Sequence, residues 1–363
     1  MSTIKVDTIQ NTVGENLVFE NKNLLINGAM SIFQRNTTQA SITTTGYYTA
    51  DRWRLATNLG TFTQSQSTDV PSAQGFGYSL KMDCTTADAS PSSNKFLILQ
   101  QKIEGQNLLK ILKGTSSAKK LTLSFFVKSN KTGTYVIEID HETASRSISK
   151  SYTISSANTW EKKEITFDGD TSSTIANDNA IGLSILWWLG GGSNFTSGSL
   201  GTSWASTTDA NRAVGQLNLA DSTSNEWYIT GCQLEVGSKA TDFEFEPYER
   251  TLSRCRRYFI SYGGDAAYER FAVGYISSST QGYFTSVFPV KMREIPTYSF
   301  SSVSNFAVAA PSVVTCTSIA NSHSSTDYLT LQGNVSSGLT TGRCGALIAN
   351  NSTSARLKID AEL

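Results

Sequence analysis

Short runs of β-branched and aromatic residues, separated by clusters of Gly, Ser, Asn and Asp, recur along residues 23–248 and constrain the fold most strongly. About ten such runs are the expected number of strands for two facing antiparallel sheets. The segment lacks the helical crossovers of 10–15 residues that a parallel sheet needs. Residues 23–248 are therefore predicted to form a jelly-roll-like, lectin-like β-sandwich.

The rest of the chain completes an all-β prediction. Residues 258–363 carry further short strands and predict a second, C-terminal β-sandwich domain. The apolar and polar residues of 356–361 alternate, so we expect the chain to end in a paired strand. Prolines interrupt the strand pattern at three places, namely Pro289, Pro296 and Pro311.

Two segments have helical features. Residues 101–113 place leucines and isoleucines at helical spacing before Gly114, which predicts a short amphipathic helix with a glycine C-cap. Residues 249–257 form the densest charge run and are predicted as the linker between the domains, with spacing compatible with a short helix. We expect its arginines to form ion pairs with nearby glutamates, which are Glu244, Glu246 and Glu249.

The charge content argues against several classes of partner and cofactor. Charged residues make up 17% of the 363 residues and the formal net charge is zero, so neither nucleic acid nor an anionic membrane surface is an expected partner. No apolar run approaches the roughly 18 residues that a membrane-spanning helix needs. The five cysteines and two histidines are widely spaced, which predicts buried free thiols, no metal site and no cofactor.

The N-terminal segment, residues 1–22, alternates apolar and polar residues but is too short to form a core. Its first 11 residues also lack the apolar stretch of a secretory signal. We predict an attachment segment that docks on another protein through Ile4, Val6 and Ile9. The alternative is a strand added to the protein's own sandwich.

Several motifs resemble those of one family. The sequence NLLINGAMSIFQR at 23–35, followed by YTADRW at 48–53, resembles the opening of a lectin-like module that recurs in phage tail-fibre and appendage proteins. GCQLEVG at 231–237, ATDFE at 240–244 and the segment 249–258 resemble the end of the same module. Residues 1–11 are similar to the first residues of marine phage structural proteins.

The resemblance implies a virion protein that is made in the host cytoplasm and becomes part of the tail or another appendage. It implies other virion proteins as partners of the N-terminal segment and a homo-oligomer, with a trimer as the state typical of tail fibres. It also implies adhesion to a host-surface glycan. Two alternatives remain open, a purely architectural capsid, neck or tail decoration protein and a glycan depolymerase.

Aromatic residues near residue 190 give the best candidate site. Sugar rings stack on aromatic side chains and their hydroxyls bond to Asn and Asp, so a neutral aromatic surface suits a glycan. Trp187 and Trp188 are adjacent in a predicted strand, so one must face outward, and we expect that one to be exposed. The predicted carbohydrate-binding residues are Trp187, Trp188, Asn194, Phe195, Trp204, Asp209 and Asn211. The remaining tryptophans, Trp53, Trp160 and Trp227, are predicted to lie in the core.

Catalytic motifs are missing from the sequence. It contains neither a GxSxG elbow nor an HExxH helix, so we predict no enzyme activity. Glycoside hydrolysis needs only two carboxylates about 5–10 Å apart. The candidates for such a pair are Glu138, Asp140 and Glu142, which share one strand face, or Glu226 and Glu235. Alternating acids of this kind are expected to be exposed and to serve solubility.

Overall fold

The computed structural model describes residues 21–363, and almost all of its regular structure is β. The predicted attachment residues, Ile4, Val6 and Ile9, lie outside the described residues. Strands arrange into a two-sheet sandwich, a small three-stranded sheet and a closed barrel. This architecture confirms the all-β prediction. Within the described residues, no helix combines the length and the apolar character needed to cross a membrane.

The sandwich contains a six-stranded sheet in the order β1-β4-β5-β13-β7-β10 and a seven-stranded sheet in the order β12-β9-β8-β11-β6-β3-β2. Neighbouring strands are antiparallel throughout both sheets. The strands are β1 (Thr38–Ile42), β2 (Gly46–Tyr47), β3 (Arg54–Thr57), β4 (Thr61–Ser67), β5 (Ser79–Thr86), β6 (Phe96–Glu104), β7 (Leu121–Ser129), β8 (Gly133–His141), β9 (Arg146–Ile154), β10 (Glu161–Phe167), β11 (Ile181–Gly191), β12 (Ala205–Ser206) and β13 (Glu226–Val236).

The main core lies between these two sheets because each strand turns alternate side chains toward the other sheet. Trp53, Trp187 and Trp227 are fully buried there, as predicted for Trp53 and Trp227. The rings of Trp53 and Trp187 have their centroids 5.2 Å apart. Large aromatic groups thus fill the centre of the sandwich and fix the inward face of β11.

Two predictions about buried side chains are wrong. Trp160 is partly exposed outside the core, where its Nε1 donates a hydrogen bond to Asp69. Its ring lies near Lys128 and Tyr228, with its centroid 6.2 Å from that of Tyr228, and does not belong to the core cluster. Four of the five cysteines are buried as predicted, but Cys344 is exposed at the start of a strand.

The C-terminal part is all-β as predicted, but its strands form a closed barrel in place of a second sandwich. The barrel order is β15-β16-β20-β19-β18-β21, and it closes because β15 pairs with both β16 and β21. The other three strands form a sheet in the order β14-β22-β17, so the chain ends in a paired strand as expected. The strands are β14 (Phe259–Tyr262), β15 (Arg270–Ser278), β16 (Gln281–Val287), β17 (Thr297–Phe300), β18 (Phe306–Ala309), β19 (Val313–Ser324), β20 (Tyr328–Val335), β21 (Cys344–Ala349) and β22 (Leu357–Asp360).

The helical prediction for residues 101–113 is wrong. Residues up to Glu104 continue β6, because they pair with β11, and the ladder overrides local helical spacing. Two 3₁₀ turns follow, Gly105–Asn107 and Leu109–Ile111. The second turn ends at Leu112, whose φ of 53° is left-handed. Further 3₁₀ turns are Glu142–Ala144, Asp209–Asn211, Leu219–Asp221 and Val303–Asn305, and a single α-helical turn, α1, spans Ser193–Thr196.

The predicted linker forms a helix, α2 (Tyr248–Arg256). The expected pairing with nearby glutamates is found for Arg254, whose Nη1 lies 2.6 Å from Glu246. It is not found for Arg257, which bonds instead to Glu104 at the end of β6, 2.8 Å away. The Tyr258 hydroxyl donates to the same carboxylate. Arg257 and Tyr258 therefore bind the sandwich through Glu104, a buried acid that lies far away in the sequence.

Arginines of the N-terminal motifs bind the last residues of the chain. Arg35 lies 3.0 Å from Asp360 and 3.4 Å from Glu362, and Arg52 also pairs with Glu362. The two guanidinium groups stack on aromatic rings of the C-terminal part, at 3.6 Å for Arg35 on Phe259 and 3.5 Å for Arg52 on Tyr258. The motifs NLLINGAMSIFQR and YTADRW thus contribute two arginines to the contact with the C-terminal part.

Candidate ligand-binding groove

The outer face of the seven-stranded sheet changes from apolar to charged along its strands. Side chains that are paired across β3, β6, β11 and β8 form three rows on this face. The apolar row is Ala56, Ile98, Trp188 and Val136; the middle row is Arg54, Gln100, Leu186 and Glu138; the charged row is Lys102, Ser184 and Asp140. Trp188 faces outward and Trp187 inward, as the alternation of a strand requires.

The loop after β11 folds back over the apolar row. Phe195, on α1, has its ring centroid 5.3 Å from that of Trp188, and Ala213 packs into the same cluster. The Ala213 N–H donates to the Phe195 carbonyl oxygen at 2.9 Å, which closes the loop on itself. Trp188 is consequently 0% exposed. The expectation that the outward tryptophan is a solvent-exposed stacking surface is wrong, because the loop expected to flank it covers it.

A groove of about 280 Å³ remains beside this loop. Phe96 and Phe195 form an aromatic wall with their ring centroids 6.2 Å apart and nearly perpendicular planes. Both rings are partly exposed. The lining residues are Phe96, Ile98, Gln100, Asp140, Glu142, Leu186, Trp188, Phe195 and Arg212. The groove therefore combines exposed aromatic edges with amide, carboxyl and guanidinium groups.

The buried Glu138 and the partly exposed Arg212 form the base of the charged side. Arg212 Nε donates to Glu138 at 2.8 Å, and its guanidinium lies 5.5 Å from the centre of the Trp188 ring. The Trp188 indole N–H donates to the other oxygen of Glu138 at 2.9 Å. Glu138 is fully buried and both of its oxygens accept hydrogen bonds. The expectation that Glu138 and Asp140 are exposed, solubilising acids is therefore wrong.

Asp140 and Gln100 carry the unpaired polar groups of the groove. Arg212 Nη2 donates to Asp140 Oδ2 at 3.2 Å, while Oδ1 and the Gln100 side-chain amide have no hydrogen-bonding partner among residues 21–363. These residues are only 6% and 4% exposed. Burial raises the pKa of Asp140 to about 7, and the negative charge of Glu138 adds to the effect although Arg212 opposes it. The free oxygen of Asp140 and the Gln100 amide are open to the groove, where a ligand can bond to them.

Of the seven predicted site residues, Phe195 and Trp188 line the groove. Trp187 lies in the core, and Trp204 is bound elsewhere through a hydrogen bond from its Nε1 to the Asp168 carbonyl at 2.7 Å. Three polar residues belong to the covering loop but not to the groove lining: Asn194 is exposed, Asp209 lies 3.7 Å from Arg212, and the Asn211 side chain accepts a hydrogen bond from the Ser199 N–H.

Sequence reasoning missed Phe96, Gln100 and Arg212 as groove residues. Gln100 and Lys102 lie two positions apart in β6, which indicates one polar face, but Gln101 between them is also polar and weakens that signal. Their convergence with Arg212, more than 100 positions away, depends on the pairing of β6 with β11 and on the path of the loop. The local sequence pattern does not specify the strand pairing or the path of the loop.

The other proposed pair of acids does not form a cleft. Glu226 and Glu235 lie at opposite ends of β13, about 30 Å apart at 3.3 Å per residue. Glu226 bonds to Lys81 and Tyr228, while Glu235 accepts hydrogen bonds from Thr241. Among residues 21–363, no group of three or more His, Cys, Asp or Glu side chains is arranged to hold a metal ion.

A second groove, of about 220 Å³, lies against the six-stranded sheet beside Phe76, Phe243 and Phe245. Its carboxylates are engaged within the protein. Glu244 accepts hydrogen bonds from the backbone N–H groups of residues 21–23, and Glu246 pairs with Arg254. This surface is therefore aromatic, and its two carboxylates are held by bonds within the protein.

Comparisons with known proteins give only distant likenesses. No family model matches the chain, and no curated protein sequence does. Among solved structures, tailspike protein 4 of bacteriophage CBA120 is 15% identical over 59% of this chain, with a TM-score of 0.32, and the chain spans only 21% of that protein.

Two further structures are similar at the same level. A protein from Bacteroides thetaiotaomicron that is named for sugar binding is 15% identical over 60% of this chain and all of its own, with a TM-score of 0.35. A family 11 carbohydrate-binding module of a Clostridium thermocellum cellulase is 13% identical over 56% of this chain and 96% of its own, with a TM-score of 0.28. At these values the likenesses identify no family.

Proposed function

We propose that the protein binds a glycan in the groove on the seven-stranded sheet and does not cleave it. The observation that carries this proposal is the pair of polar groups in the groove that have no hydrogen-bonding partner within residues 21–363, the Gln100 amide and Oδ1 of Asp140, beside the partly exposed rings of Phe96 and Phe195. A sugar offers apolar C–H faces to such rings and hydroxyl groups to such an amide and carboxyl. A small number of placed polar groups in an apolar cleft is the usual composition of a ligand site.

Binding without cleavage is supported by the state of Glu138. A glycosidase needs one carboxylic acid and a second carboxylate free to act as nucleophile or base. Of the two acids that flank Asp140 in sequence, Glu138 accepts hydrogen bonds from Arg212 and Trp188 on its two oxygens. Glu142 accepts a hydrogen bond from Ser184 and lies 3.6 Å from Lys102. An attack by the Glu138 carboxylate would require the loss of its hydrogen bonds in a fully buried position.

The biological setting is proposed as a phage particle, where the chain acts as a tail-fibre or appendage adhesin. The motifs at 23–35, 48–53 and 231–237 support this setting through their resemblance to appendage proteins. Residues 1–22 attach it to other virion proteins, and many weak glycan contacts gain strength from copy number. Labelling of purified particles with an antibody against residues 258–363 tests the location, and absence of the chain from the particles contradicts it.

A homo-oligomer, proposed as a trimer, is supported by exposed apolar and aromatic side chains on the barrel. Val273, Tyr275 and Val287 are 62%, 55% and 73% exposed on adjoining strands β15 and β16. Exposed apolar and tyrosine-rich faces of this kind are typical of subunit contacts, and the same face would also serve a purely architectural protein. Light scattering on the full chain and on a Tyr275→Glu, Val287→Lys variant tests it. A monomeric full chain contradicts the proposal.

The glycan-binding proposal is tested with a glycan array probed with labelled full-length protein. We expect binding that falls at least tenfold in a Phe96→Ala, Gln100→Ala variant. The matched control is Phe245→Ala, which removes a 53% exposed aromatic ring on the opposite sheet and leaves binding unchanged. Incubation of bound glycans with the protein should release no reducing ends. Equal binding by the groove variant, or release of reducing ends, refutes the proposal.

A further inference from the structure

The charges of the groove are unevenly distributed. Its lining residues include two acids, Asp140 and Glu142, and a single cation, Arg212. The nitrogens of that cation face acids already: Nε lies 2.8 Å from Glu138, Nη2 lies 3.2 Å from Asp140 and Nη1 lies 3.7 Å from Asp209. A negatively charged ligand would therefore have to compete with protein carboxylates for the guanidinium.

The charged groups that act most strongly on Asp140 are two acids and two bases. Glu138 lies on its own strand, Glu142 on the turn that follows, Lys102 on β6 and Arg212 on the covering loop. Lys102 Nζ is 3.6 Å from Glu142, and Arg212 is bonded to Glu138. Arg54 is paired with Gln100 in the middle row on β3, and its charge lowers the pKa of Lys102. An ionised Asp140 adds a third negative charge to Glu138 and Glu142, and its Oδ1 has no hydrogen-bond donor within the described residues.

Resting on the proposed function, we infer that the groove selects glycans with a protonated amino group and that Asp140 is the residue that determines this specificity. An ammonium group would donate a charge-assisted hydrogen bond to Oδ1 and neutralise the charge of an ionised Asp140. Uronic acids and sulfated sugars would add a further negative charge beside Asp140 and Glu142. Neutral glycans would bind through the aromatic wall and Gln100 without that gain.

Three hexamers with the same β-1,4-linked backbone test the inference: those of glucosamine, N-acetylglucosamine and glucuronic acid. Affinities are measured by calorimetry at pH 6 with the full chain. We expect the glucosamine hexamer to bind at least tenfold more tightly than the acetylated one, and the glucuronic acid hexamer to bind most weakly. Burial raises the pKa of Asp140 to about 7, so binding of an ammonium group, which favours the ionised carboxylate, should release protons from Asp140 at pH 6. Repeating the titration in buffers with different ionisation enthalpies measures that release.

Two variants separate a role of Asp140 in recognition from a structural one. Asp140→Asn is expected to bind the glucosamine and acetylated hexamers within about twofold of each other and to release no proton. Asp168→Asn removes an exposed carboxylate that pairs with Lys120 at 2.7 Å, and we expect it to keep the wild-type preference. A thermal unfolding midpoint within a few degrees of the wild-type value shows that each variant is folded.

The possible failures are distinguishable. Equal affinity of the wild type for the amino and acetylated hexamers, tighter binding of the acid, or a preference that survives in Asp140→Asn overturns the inference and leaves the proposed function standing. No binding of the glucosamine hexamer by the wild type also overturns the inference. If the array too shows no bound glycan of any class, the proposed function falls with it.

Discussion

Replacement of Glu362 by alanine should destabilise the sandwich, although Glu362 is the second-last residue of the chain. Its side chain is 5% exposed and lies against Arg52, which is 1% exposed, and against Arg35. Arg35 would keep Asp360 at 3.0 Å, but Glu362 is the one acid paired with Arg52 among the described residues. The substitution therefore leaves a buried cation without a counter-ion.

The expected cost follows from that burial. Loss of one partner of a buried ion pair typically costs about 3–5 kcal/mol, because the remaining charge stays desolvated. For a unit of this size each kcal/mol lowers the melting temperature by about 2–4 °C, so a decrease of about 6–20 °C is expected. The control is Glu164→Ala, which breaks an exposed pair with Lys162 and should cost less than about 1 kcal/mol.

All six tryptophans lie between residues 53 and 227, so their fluorescence during urea unfolding reports on the sandwich. A double variant, Arg52→Met with Glu362→Ala, should recover part of the loss because it removes the unpaired charge. A free energy of unfolding for Glu362→Ala within about 1 kcal/mol of the wild-type value would refute the reasoning. So would a double variant that is less stable than Glu362→Ala alone.

Three further outcomes are expected. Gly28→Ala should destabilise the protein by about 1–3 kcal/mol, because a Cβ there would lie 2.0 Å from the Cys232 carbonyl oxygen. The control is Gly77→Ala, where a Cβ would meet nothing within 4 Å, and equal urea midpoints for the two variants would contradict the prediction. The raised pKa of Asp140 means that the folded state binds its proton more tightly than the unfolded state, so the contribution of Asp140 to stability should rise as the pH falls from about 7 to 4. Asp140→Asn should remove this rise, which amounts to at most about 4 kcal/mol over the range. An unchanged pH dependence in thermal melts would show that Asp140 is not responsible. Burial opposes ionisation of Asp170, but hydrogen bonds from Arg146 and Lys113 lower its pKa to about 2. The ionised carboxylate should therefore stabilise the folded state by about 2–3 kcal/mol above about pH 4, and this stabilisation should be lost toward pH 2. Asp170→Asn should be less stable than wild type at pH 7, and a difference in stability that persists at pH 2 would argue against this linkage.

Much of the local structure could be predicted from the sequence because a strand has a period of two residues. The alternation in β11 predicted that Trp187 and Trp188 face opposite sides, and they do. The β-branched and aromatic runs predicted an all-β chain with a sandwich, and the alternation near the end predicted a paired final strand. These features depend only on residues that are close in sequence, so the sequence pattern predicts them.

Tertiary structure alone decided which outward face is covered and which polar groups meet. Trp188 is buried because a loop whose path no local pattern specifies returns to it, and this loop also brings Arg212 to Glu138. Strand closure made a barrel of the C-terminal residues, since the pairing of β15 with β21 joins segments about 75 positions apart. Arg52 and Glu362 likewise meet across 310 positions. The free energy of burying such groups depends on the whole fold, so the sequence determined the strands and their faces, and the tertiary structure determined the site.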